Sequence, residues 1–293
     1  MRELGHLHSG GRRLRRLLWH VIPVVVVLAS PALAQERELD QEPPPSSASE
    51  IETPMKRLFR EVPAGSPLFP WIRQQLEDLP PFFSDTQLEA RFRTYYLRQE
   101  PTSDIVREAW AIGGSLYYRS GWFEDFFQLE VEGFTSQPIY APHDRDGTLL
   151  LEPGQEGFSA LGIANGKLRY KGIVLTGFRQ YIDLPYVNRQ DNRMTPNTFE
   201  ALTLTKSEGE FRFSTGYTWN VKLRDSNDFV SMAEAVGLDK DRGLAHAGAV
   251  WDPSENFHVG AVGGVIPDLF GGVYGEVGAG RDLVRGWQVR FDG

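Results

Sequence analysis

Phe211 to Arg224 reads FRFSTGYTWNVKLR, and this stretch decides the fold. Phe211, Phe213, Thr215, Tyr217, Trp219, Val221 and Leu223 suit lipid, while the interleaved Arg212, Ser214, Gly216, Thr218, Asn220, Lys222 and Arg224 suit water. Alternation at period two over about fourteen residues describes a strand with a different solvent on each face. Strands of soluble sandwiches usually run about five or six residues. Strands of about ten, apolar outward and polar inward with aromatic rings near the ends, are what a membrane β-barrel requires. The stretch therefore predicts an all-β, antiparallel transmembrane barrel.

The rest of the chain repeats the pattern. Alternating segments fall at roughly 87–98, 106–120, 126–137, 160–171, 173–184, 198–206, 209–223, 244–252, 256–266, 269–280 and 284–291. Turn-rich loops separate them at His143 to Gly157, Asn188 to Asn197 and Asp225 to Arg242. Short links such as Ser207-Glu208 alternate with long ones, the rhythm of periplasmic turns and extracellular loops. About eleven strands is an odd count for a bacterial barrel, and an open sheet leaves backbone edges to lipid. With the chain ending at Phe291-Asp292-Gly293, the expectation is a C-terminally incomplete barrel domain over 83–293. A complete twelve-stranded barrel is the alternative.

Two segments precede the barrel. Residues 1–34 carry a basic run from Arg12 to Arg16, a short apolar core from Leu17 to Ala29 and a small-residue site at Ala32-Leu33-Ala34. That is the layout of a cleaved signal peptide. Residues 35–82 form a proline-rich periplasmic lead-in. Its first part (35–54) is too polar to offset the entropy of ordering and is expected to be disordered. Its second part holds a short helical pattern over Trp71 to Leu79.

Charge excludes one class of partner. The chain has 31 basic and 39 acidic residues, a formal net charge of −8. Setting aside the leader's five arginines and one glutamate leaves 26 basic and 38 acidic residues, a net charge of −12. Nucleic acid would call for a clustered basic face. The absence of cysteine excludes a disulfide framework and a thiolate metal site. No HExxH pair, Gly-x-Ser-x-Gly elbow or EF-hand spacing occurs, so no catalytic residue, metal site or cofactor is expected.

Transport chemistry rests on charges that face inward. Parity places Arg91 and Arg93 opposite the outward Leu88, Ala90, Phe92 and Tyr96. Arg169 alternates with Leu168 and Tyr170, Arg179 with Phe178, and Arg212, Lys222 and Arg224 with the apolar row of the opening stretch. Charge on the lipid face is costly, which favours inward placement. Guanidinium groups bind carboxylates through paired, charge-assisted hydrogen bonds. A series of weak sites also lets a solute leave again. A second reading stands beside this one: inward arginines neutralise inward carboxylates, for which Glu89, Glu130 and Glu132 are available. Arg193 lies in the polar 188–197 loop, where inward folding would constrict the pore.

Three passages resemble the OprD-type outer-membrane porins. They are LEARFRTYYLRQ (Leu88 to Gln99), DNRMTPNTFEALTL (Asp191 to Leu204) and VKLRDSNDF (Val221 to Phe229). The second, a basic residue with proline three positions on and then threonine, is the most specific. The resemblance implies an eighteen-stranded bacterial outer-membrane barrel with a narrow eyelet. It also implies passive uptake of small carboxylate-bearing solutes, among them amino acids and aromatic acids, along a basic ladder. By motif position Arg193 matches the eyelet basic residue and Arg169 a ladder arginine. The expected partners are small-molecule solutes, outer-membrane lipid and the barrel-assembly machinery, with the protein a monomer or loose trimer. Three other readings remain: an outer-membrane barrel hydrolase using His246 or His258 as base, a soluble ligand-binding sandwich, and a non-functional porin remnant.

Overall fold

The alternating segments become β-strands in the computed structural model, which describes residue 76 and residues 78–102, 105–254, 256–283 and 287–292. The leader over 1–34 lies outside the described residues, and so does the 35–82 lead-in apart from residues 76 and 78–82. The helix expected over Trp71 to Leu79 is thus described only at residues 76, 78 and 79. A short helix α1 (Pro81–Ser84) leads into β1 (Gln87–Thr102), β2 (Ile105–Arg119), β3 (Phe127–Tyr140), β4 (Phe158–Tyr170), β5 (Ile173–Gln180) and β6 (Thr198–Glu208). β7 (Phe211–Lys222), β8 (Phe229–Ser231), β9 (Leu244–Ser254), β10 (Phe257–Ile266), β11 (Phe270–Leu283) and β12 (Trp287–Asp292) follow.

Eleven of these strands form one continuous antiparallel path in chain order, and the short β8 pairs with the end of β7. Among the described residues no pairing joins β1 to β12, so the sheet is open. Links at one end are tight. At Lys171-Gly172 both residues have positive φ (47° and 76°), the primed turn whose twist matches the strands it joins. At the other end the links 141–157, 181–197 and 223–243 are long, which marks the extracellular end of this architecture.

Register carries the alternation across the sheet. Phe92, 93% exposed, faces outward opposite Gly114, and Tyr96 lies opposite Trp110. Near the tight-turn end Phe211 stacks on Phe213 and on Trp251, with centroids 6.2 Å apart in both pairs, an outward aromatic row of the kind that girdles these barrels. On the inner face, Glu132, Phe134 and Ser136 stand opposite Tyr117, Ser115 and Gly113.

Long loops fill part of the interior. Leu150 and Leu151 of the 141–157 loop pack on Ala109 and Ala111 of β2, together with Met194. Ile182 and Leu184 of the 181–197 loop join Phe199, Val221, Leu244, Val262 and Ile266 in a second buried cluster, to which Met232 also belongs. Apolar side chains in these polar-looking loops explain the inward folding, because burial of apolar surface is favourable.

Three details differ from the sequence reading. The strand expected over 173–184 stops at Gln180, so the loop begins at 181 rather than 188. Two residues before that end Phe178 takes a left-handed φ of 82°, although the register runs on through Gln180. Asp183, read as a strand residue, instead belongs to the loop and holds Arg189. Finally, the 225–242 loop contains β8, whose pairing with Asn220 to Lys222 no alternation in so short a segment could signal.

Candidate functional site

Small residues across the register give the β1 arginines room. Arg91 lies opposite Ser115 and Arg93 opposite Gly113. Arg91 bonds Glu89 at 2.7 Å and Glu132 at 3.4 Å. The Glu132 side chain is only 1% exposed and accepts a further hydrogen bond, 2.8 Å long, from the Tyr181 hydroxyl. Arg93 donates to both oxygens of Asp191, at 2.7 and 3.3 Å, and to the carbonyls of Arg193 and Met194. Two strands and one loop thus meet around a small cleft of ≈ 30 Å³, partly open to solvent, whose lining includes Arg91, Arg93, Glu132, Tyr181, Asp191 and Met194.

The first turn of the loop is electrostatically held. The Arg189 guanidinium bonds Asp183 at 2.8 Å and lies 4.2 Å from the Tyr181 ring centroid. Burial acts to lower its pKa, but the Asp183 carboxylate outweighs this and the net shift is upward. Burial first, and then the Glu132 carboxylate, push the Tyr181 phenol well above its usual value. Tyr181 therefore stays a donor at any physiological pH.

Arg193 and Arg224 differ from the other cations. Arg193 Nε donates to the Thr148 carbonyl at 2.9 Å, tying the 181–197 loop to the 141–157 loop. Arg224 donates to the Asn192 side-chain oxygen at 2.5 Å. Among the described residues neither is in an ion pair. Burial and then the like charge of Arg193 hold the Arg224 pKa below its usual value, so two mutually repelling cations stand together at the long-loop end.

The remaining candidates are dispersed. Arg169 lies at the tight-turn end of β4, paired with Asp125 and 4.0 Å from the Trp122 ring centroid. Arg212 is at the same end of β7, paired with Asp252. Arg179 follows the irregular Phe178 and pairs with Glu200 at 3.1 Å, its guanidinium 4.2 Å from the Phe229 ring centroid, outside the cluster around Arg93. Lys222 is 0% exposed and so lines no pore, contrary to its parity in the opening stretch. A register shift at Glu200/Ala201, beside β7, disturbs that parity near the extracellular end. Neutralisation by carboxylates, the second reading of the inward arginines, describes Arg91 and Arg93. Lys167 with Glu130, 2.9 Å apart, follows the same rule.

Tyr181, Asp191 and Arg189 were not singled out from sequence. Asp191 opens the DNRMTP passage and was legible there as the loop's carboxylate. The role of Tyr181 was hidden because the residue reads as one more member of an alternating strand.

A family model described as outer membrane porin, OprD family, matches residues 80–293. The fold is similar to that of Acinetobacter baumannii OccAB1, with a TM-score of 0.65 and 19% identity over 74% of this chain and 53% of that one. It is also similar to Pseudomonas aeruginosa OccK9 (OpdG), at TM-score 0.64 and 24% identity, covering 73% of this chain and 58% of that one. Pseudomonas aeruginosa OpdK with vanillate gives a TM-score of 0.62 and 21% identity, with coverage of 72% and 57%. The chain spans little more than half the length of each of these structures. No curated protein matches the chain.

Proposed function

The chain belongs to the OprD family of bacterial outer membrane porins, which are channels and not enzymes, and from that membership we propose that the natural protein takes up small carboxylate-bearing solutes. One observation carries the reading: Arg193 and Arg224 stand close together at the extracellular end with no ion pair among the described residues, Asp225 attracting Arg224 only at longer range. A solute carboxylate would find there two guanidiniums held by the neutral oxygens of Thr148 and Asn192, with N–H groups left to bind it through charge-assisted bonds. Below them, Arg93 is paired with an Asp191 that is itself 42% exposed, so an incoming carboxylate competes for Arg93 on nearly equal terms. Arg91 extends the path, and Arg169 and Arg212 continue it at the periplasmic end. Exchange between solute and resident carboxylates keeps each site weak, which conduction requires. The solved OpdK with vanillate, a carboxylate-bearing aromatic, supports the same solute class.

The test is a planar-bilayer measurement on the natural full-length protein under a potassium chloride gradient. Anion preference, reduced in an Arg193→Gln/Arg224→Gln double variant, is the expected result. A cation-selective channel, or one whose selectivity ignores both arginines, would overturn the proposal.

A further inference from the structure

Lys222 is a cation with no place in a solute path. Its side chain is 0% exposed. An ammonium carries three donors, and all three oxygens it meets are protein atoms. They are Thr195 Oγ1 at 3.3 Å, the Leu223 carbonyl at 2.9 Å and the Ser226 carbonyl at 3.2 Å. The rings of Phe134 and Phe158, from β3 and β4, lie 5.9 and 5.8 Å from Nζ. Among the described residues no carboxylate forms an ion pair with it. The carboxylates of Asp225 and Glu152 attract it only from a distance, and a desolvated charge without a direct ion pair is costly, so a lysine here needs a return that an apolar residue would not give.

The return is visible in what the three bonds join. Thr195 lies two positions after Arg193 in the 181–197 loop, and its hydroxyl donates onward to the Arg224 carbonyl at 2.9 Å. Ser226 lies in the first turn of the 223–243 loop. We propose that Lys222 is a positioning residue: its ammonium pins the 181–197 loop to the extracellular end of β7 and so fixes where Arg193 and Arg224 stand. The inference rests on the channel reading for its functional consequence but not for the pin itself. Lys222 touches no solute; it acts through Thr195.

The experiment uses the natural full-length protein carrying Lys222→Met, which keeps the length and apolar stem while removing the ammonium. Two readouts are taken: hydrogen exchange across residues 181–197 in lipid vesicles, and single-channel recordings in planar bilayers. Loss of the pin is expected to raise the population of the released loop about 5- to 30-fold, seen as faster exchange and as more frequent conductance fluctuations. Thr195→Val removes the same junction from the loop side and is expected to reproduce both changes, while Thr195→Ser retains the hydroxyl and restores them. If Lys222→Met does not fold, the Thr195 pair decides alone. Wild-type exchange and wild-type fluctuations in Thr195→Val overturn the proposal. A Lys222→Met protein with unchanged loop exchange but weaker block of current by benzoate overturns it too, because Lys222 would then meet solute directly. Absence of current from the natural protein refutes the channel reading, whereas the exchange data still judge the pin.

Discussion

Replacing Tyr181 by Phe removes one hydroxyl from the point where the inward loop leaves β5. That hydroxyl donates to Glu132 Oε2 at 2.8 Å, and Glu132 is 1% exposed with its other described side-chain partner, Arg91, at a long 3.4 Å. A hydrogen bond to a charged group contributes about 1.5–3 kcal/mol. Because the carboxylate is so thoroughly buried and its second bond is stretched, a loss of about 2 kcal/mol is expected. Equilibrium urea unfolding of the full-length protein in lipid vesicles, followed by tryptophan fluorescence, measures it.

The same bond predicts a pH dependence. Burial and Glu132 hold the Tyr181 phenol well above its usual value, whereas in the unfolded chain it titrates near about 10. A raised folded pKa gives a contribution that is complete below the unfolded pKa and lost as pH rises through the folded one. The stability advantage of wild type over Tyr181→Phe is thus constant below about pH 10 and falls by about 1.4 kcal/mol per pH unit above it. Other tyrosines titrate equally in both proteins and cancel in the difference. A gap below about 0.5 kcal/mol at pH 8, the range of ordinary surface changes, or one that does not shrink above pH 10, refutes the reasoning.

Phe92→Arg places a charge at the most exposed outward position of β1; it should cost about 2–4 kcal/mol at midplane depth, checked by urea unfolding in vesicles, with Thr94→Ser on the same face as a mild control. Gly162→Val should lower the yield of heat-modifiable folded barrel, since even a Cβ at Gly162 would lie 2.4 Å from a ring carbon of Phe134 and overpacking of this kind costs about 1–3 kcal/mol. The selectivity lost in the Arg193→Gln/Arg224→Gln double variant should be largest at low salt. Exposed charges are screened beyond about 8 Å at 0.15 M, so reversal potentials measured over a salt series should converge with wild type as salt rises.

Most of the sheet was legible in advance because a strand's side chains alternate whatever its neighbours do. The apolar row of Phe211, Phe213 and Tyr217 is exposed in the structure, and Arg212 pairs inward with Asp252. Loop positions followed from turn residues, and the DNRMTP passage marked the segment that carries Asp191 and Arg193. Parity failed where the backbone stops being regular. β5 ends at Gln180 rather than 184, and at Glu200/Ala201 the register with β7 shifts, so Lys222 is buried against its parity.

The sequence by itself determined the solvent of the strand faces where the register is regular, the number of strands in the continuous path and the family, because all three are written in local period and local motif. Only the tertiary structure decided which cations are satisfied. Arg91 and Arg93 meet carboxylates 41 and 98 positions away, Lys222 is sealed by a loop hydroxyl 27 positions before it, and among the described residues Arg193 and Arg224 form no ion pair. Charge is a property of a residue, but its neutralisation depends on which distant oxygen folds to within hydrogen-bonding reach, and no period in the sequence encodes that distance.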